Sequence, residues 1–405
     1  MTTLRTRKAR WLLFAVFATS LGSPAAADQQ EQADSASLPA PEIAQVAELG
    51  QEALPASQRD PIPFIDPAAL PYASQHPILF DVFPAQAPPI VDDTVPSITL
   101  RSPEPIDPPP LDELRVVLDW YLSPQHAALL IAQARGDFTR HGLDITLNVP
   151  ADPSLPPKLL AAGRADLALG RQAQLHILVD EQQPLVRVAS LMPTPLSSLV
   201  VAADSDIETL ADLAGKRVGH AHDDSLSPML AGMLAQHDVT LDELTLDYVN
   251  FSPAQALLEG RVDALIAPLR HVLPHHLDVE GIRVRSFAAE EHGVPRHDGL
   301  ILMANRDTLA TQRSEIKRLL LALEDATEWA LNYPDDAWEL ITRNHPALDS
   351  TINQRAWPDT LRRLALRPSV LDAKRYAAMQ NYLYERGHID TRQPLERLAV
   401  DLHAP

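Results

Sequence analysis

Pro157-Lys-Leu-Leu-Ala-Ala-Gly163-Arg-Ala-Asp166-Leu-Ala-Leu169 and Pro253-Ala-Gln-Ala-Leu-Leu-Glu-Gly260-Arg-Val-Asp263-Ala-Leu-Ile266 carry one pattern at two places in the chain. In each, a proline opens a short helical stretch, and a glycine suited to the left-handed position past a helix end closes it. Arg-x-Asp then leads into an apolar run of strand length. The repeated helix-to-strand unit predicts two related α/β lobes facing a cleft, because ligands of open α/β sheets sit beyond the carboxyl ends of the strands.

The same alternation extends outward from the repeats. Arg115 to Asp119 reads as a buried strand ending at Trp120. Ser123-Pro124 then starts a helix, with serine as the N-cap and proline at the first helical position, and Gly136 closes it. Leu143 to Val149, Ala165 to Leu169, Ser198 to Ala202, Arg217 to Gly219, Val262 to Ala267 and Leu300 to Ala304 read as further strands. Strands alternating with helices imply mainly parallel sheets with helices on their faces.

Composition narrows the function. The chain has 405 residues, 45% of them hydrophobic, enough for two lobes and an additional segment. A formal net charge of -20, with no cluster of Lys and Arg in the body of the chain, argues against a nucleic-acid partner. The absence of cysteine excludes disulfides, thiolate metal sites, a cysteine nucleophile and a lipid-modified cysteine. Arg5, Arg7, Lys8 and Arg10 precede the short apolar run Trp11 to Leu21 and the Ala25-Ala26-Ala27 site, so residues 1–27 read as a secretory signal and the mature protein as periplasmic. Residues 28–110 read as a proline-rich extension that is largely disordered: 17 of the 37 prolines lie between Pro39 and Pro110, where Gly50 is the only glycine.

Several stretches, taken in order, resemble a known family. They are Leu118-Asp119-Trp120, His126-Ala127, Gly142-Leu143-Asp144, Asp152-Pro153-Ser154 with Pro156-Pro157-Lys158-Leu159, Ala161 to Ala168, Asp212 to Gly219, Glu290 to Pro295 and Ala304-Asn305-Arg306-Asp307. Together they look like the thiamine-pyrimidine precursor family, which comprises ABC-importer proteins that bind formylaminopyrimidine or hydroxymethylpyrimidine and the related eukaryotic pyrimidine synthases. The resemblance covers roughly Arg115 to Asp390 and implies a type II periplasmic-binding-protein fold, α/β with two lobes around a cleft. The strand pattern places the crossings near Leu199 to Ala202 and Gly299 to Leu302. Lobe one is then residues 111–198 plus 300–395, and lobe two is residues 199–299. The implied function is the solute-binding component of an ABC importer, with a small planar solute, a thiamine-related pyrimidine precursor, as its small-molecule ligand, permease subunits of the inner membrane as partners, and no cofactor. An alternative from another class is a non-transporting interaction protein on a degenerate solute-binding scaffold.

The candidate ligand-binding residues are Trp120, His126, Arg171, Gln172, His220, Arg270 and His271. Trp120 follows the first strand, where an aromatic face can stack on a flat heterocycle for about 0.5–1.5 kcal/mol beyond burial. His126, near the start of the first helix, can bond a ring nitrogen of the ligand. Lys158 matches the lysine that holds pyridoxal phosphate in the synthases, but those enzymes also use a cysteine-rich metal motif that this chain cannot form, so no catalytic residue is expected. His220, His222, Asp223 and Asp224, and His271, His275 and His276, read as loop groups beside the cleft rather than as metal sites. Two strand ends depart from the family. Gly170-Arg171-Gln172-Ala173 replaces Ser-Tyr-Gln-Pro, and Arg270-His271-Val272-Leu273 replaces Arg-Asn-Phe-Glu, whose Glu pairs with the aminopyrimidine. Arg171 and Arg270, with no carboxylate at Leu273, predict a ligand bearing an acceptor or a negative group, unless Arg270, which the family also carries, ties the lobes together instead.

Deleting residues 28–110 is expected to leave the body folded, because the strand and helix pattern begins only after Leu111. Circular dichroism with a melting curve checks this, and loss of cooperative unfolding would place the extension in the core.

Overall fold

The computed structural model describes residues 110–222 and 225–402. The expected signal peptide and proline-rich extension, Pro110 excepted, lie outside the described residues, as do Asp223 and Asp224. The chain forms β1 (Asp112–Val117), β2 (Leu143–Asn148), β3 (Leu167–Gly170) and β4 (Leu185–Met192). It then crosses to β5 (Ser198–Ala202), β6 (Arg217–His220), β7 (Thr245–Tyr248), β8 (Ala264–Ala267) and β9 (Val284–Ala288), and returns as β10 (Leu300–Asn305). The sheets have one plan, β2-β1-β3-β10-β4 and β7-β6-β8-β5-β9. Each takes as its antiparallel strand the one that follows the other sheet's last strand: β10 pairs antiparallel with β3 and β4, and β5 with β8 and β9.

Helices α1 (Ala127–Ala134), α2 (Asp137–Arg140), α3 (Leu155–Ala161) and α4 (Gln172–Asp180) connect strands of the first sheet. The second has α5 (Ala231–Leu234), α6 (Pro253–Leu258) and α7 (Leu273–Val279). After β10 come α8 (Leu309–Asn332), α9 (Pro334–Asn344), α10 (Thr351–Leu361), α11 (Ala373–Glu385) and α12 (Leu395–Leu398). Among the described residues no helix is long and apolar enough to cross a membrane.

The sequence repeat is a structural repeat down to its atoms. Gly163 and Gly260 end α3 and α6 with φ of +67° and +65°, a backbone region that glycine enters without steric cost. The aspartate of each Arg-x-Asp then grips a neighbouring strand, within β1 at Arg115 and at the start of β6 at Arg217. Asp166 Oδ2 accepts from Arg115 N at 2.8 Å and Arg115 Nε at 3.0 Å, while Asp263 Oδ2 accepts from Arg217 N at 2.8 Å and Arg217 Nε at 3.1 Å. These clamps set β1 beside β3 and β6 beside β8 in parallel, with their carboxyl ends on one side.

Three strands escaped the sequence pattern, each for a physical reason. β4 is buried along its whole length, yet it contains Arg187, whose guanidinium donates to the carbonyls of Pro368, Ser369 and Val370. β7 and β9 are edge strands with polar, partly exposed positions and therefore lack a clean apolar run.

The crossings run through 193–197 and 289–299, just before the segments expected to hold them, which are β5 and β10 themselves. They meet at Gly299, where an added Cβ would stand 2.3 Å from the carbonyl oxygen of Thr194. Two C-terminal helices reach the second lobe: α10 packs on α7, where Arg355 pairs with Asp278 at 2.6 Å, and Met379, Tyr382 and Leu383 of α11 share a core with Val201, Val218 and Ile266.

Gly299→Ala is expected to lower stability by about 1–3 kcal/mol, since the new methyl meets backbone that cannot rotate away. Urea denaturation measures it, and an unchanged midpoint would show that the crossings have slack.

Candidate functional site

β1 ends at Val117, and the chain continues through buried Leu118, Asp119 and Trp120. Ser123 and the short turn Pro124–His126 fold the chain back over this end before α1 begins. His126 Nε2 thereby lies 3.1 Å from Asp119 Oδ1, and Gln125 Nε2 donates to both Asp119 oxygens at 3.1 and 3.2 Å. The Ser123 backbone N–H donates to His126 Nδ1 at 3.2 Å, so Nε2 is the nitrogen that carries the proton toward Asp119. Burial alone raises the Asp119 pKa. The hydrogen bond from His126, with the His126 and His222 rings and the Arg171 guanidinium nearby, outweighs burial and leaves the carboxyl below its ordinary value.

Trp120 bridges the lobes. It is 1% exposed and packs into a core with Val200, Ala221 and Leu265 of the second sheet. Its ring centroid lies 5.2 Å from that of His222 and 4.7 Å from that of Phe251. Its indole Nε1 has no partner among the described residues. His271, fully buried after β8, also has both ring nitrogens without a partner among them. Burial, with Arg363 nearby, pushes its pKa from 6.5 down to about 3, so the ring is neutral. Buried polar groups rarely stay unpaired, which makes these two candidates for contact with a ligand.

A cavity of about 470 Å³ opens between the lobes, within the range of small-molecule sites. Lys158, Arg171 and Gln174 wall it from the first lobe, His222 and Pro228 from the second, and His388 closes one side beyond α11.

The family model described as "NMT1/THI5 like" matches residues 123–337. A protein of Haemophilus influenzae named for thiamine biosynthesis is 39% identical over 292 residues, covering 72% of this chain and 92% of that one. The chain belongs to the NMT1/THI5-like family. A second relative, the formylaminopyrimidine-binding protein of Halalkalibacterium halodurans, is 28% identical over 252 residues, covering 62% of this chain and 76% of that one. The alkanesulfonate-binding protein SsuA of Xanthomonas axonopodis pv. citri, solved bound to MOPS, superposes with a TM-score of 0.59 at 20% identity over 72% of this chain and 99% of that chain. This likeness establishes the periplasmic-binding-protein fold.

On this NMT1/THI5-like scaffold the candidate residues separate. Trp120, Arg171 and His271 each follow the carboxyl end of a strand, β1, β3 and β8, and of the three Arg171 lines the cavity. His126 has its two nitrogens taken by Asp119 and Ser123, so it orients the carboxylate instead of offering a nitrogen to a ligand. Gln172 spends its carbonyl on the backbone N–H of Asp298 at 2.8 Å. His220 packs against Tyr248 with ring centroids 5.5 Å apart. Arg270 takes the alternative role left open for it: it pairs with Glu290 at 2.5 Å and donates to the carbonyl of Pro195 at 3.3 Å, which ties together the two crossings. The two-arginine cleft expected from the sequence therefore reduces to Arg171. Asp119, Gln125 and His222 were missing from the candidate set, although Leu118-Asp119-Trp120 offered a signal, an acidic residue directly after a buried strand.

Because the folded-state pKa of His271 lies below its unfolded value of 6.5, the unfolded chain takes up that proton first. Its contribution to stability is present above about pH 6.5 and is lost as pH falls toward about 3. His271→Gln is expected to make stability fall less steeply between pH 7 and pH 4 in urea titrations. Parallel pH profiles would show that the ring is protonated in the folded protein.

Proposed function

We propose that this chain is the extracytoplasmic solute-binding component of an ABC importer, that its solute is a small planar molecule, a thiamine-related pyrimidine precursor, and that it is not an enzyme. The observation carrying this reading is the cavity walled by residues of both lobes, with Trp120 from one lobe packed against His222 and Phe251 of the other. Opening at the crossings would uncover the Trp120 ring, and closure over a flat solute would replace the contacts of that ring with stacking on the ligand. The Trp120 Nε1 donor and the neutral His271 ring, one donor and one acceptor, suit the mixed edge of a pyrimidine. The relative named a formylaminopyrimidine-binding protein supports this solute class. Export is inferred from the basic, apolar and alanine-rich segments at the start of the chain, which would put the protein in the periplasm, where it meets permease subunits of the inner membrane.

Against catalysis stands the chemistry of the cleft. Lys158 is exposed and donates to Ser154 Oγ at 3.2 Å, which is not the desolvated setting that activates a Schiff-base lysine. His126 has no nitrogen to spare as a base toward Ser123, because the backbone N–H of that residue occupies Nδ1. One observation favours the alternative of an interaction protein on a degenerate scaffold: Leu273 is 3% exposed within an apolar core, where the family places a carboxylate.

Native mass spectrometry of the purified protein is expected to detect a retained solute, and a pyrimidine is expected to raise the melting temperature, as a ligand of the folded state must. Trp120→Ala should weaken its binding by about 1–3 kcal/mol. Stabilisation by carboxylated or phosphorylated relatives alone would assign the site to an anionic solute through Arg171. No retained mass and no stabilisation by either class would favour the interaction protein.

A further inference from the structure

Helix α11 joins the crossing to the cavity wall. At its amino end Arg375 forms an ion pair with Asp298 of the second crossing and donates to the carbonyl of Pro193, in the first, at 2.8 Å. The hydroxyl of Tyr376 lies 3.5 Å from Asp298 Oδ2. Three residues past its carboxyl end, His388 lines the cavity.

Between these ends, α11 grips an irregular piece of the second lobe. Residues Ser225–Leu230 form a π-helical turn with Pro228 inside it. Such a turn widens the regular hydrogen-bond ladder, and the proline contributes no N–H to it. The Tyr382 hydroxyl donates to the carbonyl of Pro228 at 2.5 Å. Pro228 is itself part of the cavity wall. The approach requires glycine at 232, in α5, since a Cβ there would stand 1.6 Å from the tyrosine oxygen and 2.9 Å from Cζ. Burial pushes the Tyr382 phenol up to about 12, so it remains a donor throughout the neutral range.

We propose that Tyr382 is a positioning residue for the ligand cavity: through the Pro228 carbonyl it holds the 225–230 turn, and with it the second-lobe wall, against the first lobe. The inference rests on the reading of this cavity as the solute site. Tyr382 touches no solute. It acts on affinity through the turn, and α11 links that turn to the crossings about which the lobes move.

Tyr382→Phe in the full chain keeps the packed ring and removes only the hydroxyl. Amide hydrogen exchange is expected to quicken several-fold in residues 226–232 while β6 and β8 keep their protection, a local signature that general destabilisation would not give. Binding of hydroxymethylpyrimidine should weaken about three- to tenfold, the loss of one hydrogen bond, through faster dissociation with association unchanged. Gly232→Ala, which displaces the ring, should show both effects more strongly. Wild-type exchange and wild-type affinity in Tyr382→Phe would overturn the proposal. If the wild-type protein binds no solute while exchange in 226–232 still quickens in the variant, the solute-binding reading fails and the hold of Tyr382 on the turn stands.

Discussion

Asp298 brings a carboxylate to a place where the chain has buried the Arg187 guanidinium and half-buried that of Arg375, and the relation of the lobes depends on that balance. Arg187 is fully buried and donates to Ser190 Oγ, Ser190 in turn bonds Asp298 Oδ2, and Arg375 pairs with Asp298 Oδ1. Burial lowers the pKa of Arg187, and Tyr376, Asp298 and Asp401 counter it. Removing one member of such a buried set generally costs about 3–5 kcal/mol, because the remaining charges stay desolvated. The set joins β4, both crossings, α11 and, through the Asp298 N–H, the first residue of α4. Arg270 and Glu290 make a second tie on the far side of the same crossings. The lobes are therefore joined by a braced pair of segments.

The brace gives the cleft its electrostatics indirectly. With the crossings fixed, the carboxyl ends of β1, β3, β6 and β8 converge, and the residues just beyond them supply Asp119, Trp120, Arg171, His222 and His271. The Asp119 carboxylate is held by Gln125 and His126 from the turn that follows β1, so its orientation is set by local chain geometry before any solute arrives. The nitrogens of Trp120 and His271 have no hydrogen-bond partner among the described residues.

Much of this was legible in the sequence because the same local grammar occurs twice. Gly163 with Asp166, and Gly260 with Asp263, encode helix stop and strand clamp in adjacent residues, and the structure uses both pairs alike. β4 was hidden because its central Arg187 reads as polar until the loop around Pro368 to Val370 is seen to satisfy it. The roles of Arg270 and Gln172 were hidden for a related reason. Their partners Glu290, Pro195 and Asp298 are distant in sequence, so spacing alone cannot tell a cleft arginine from one that ties two crossings. Tyr382 gave no sequence signal, since its meaning depends on a π-turn and a glycine about 150 residues earlier.

On the proposed function, a planar solute is expected to bind unchanged between the lobes and to draw them together. Calorimetric titration of the full chain with the proposed pyrimidine, repeated at several temperatures and followed by recovery of the ligand, tests it most directly. The account predicts one site, a negative heat-capacity change from the apolar surface buried on closure, and recovery of the intact pyrimidine. Absence of heat at every temperature, or recovery of a chemically altered compound, would contradict it.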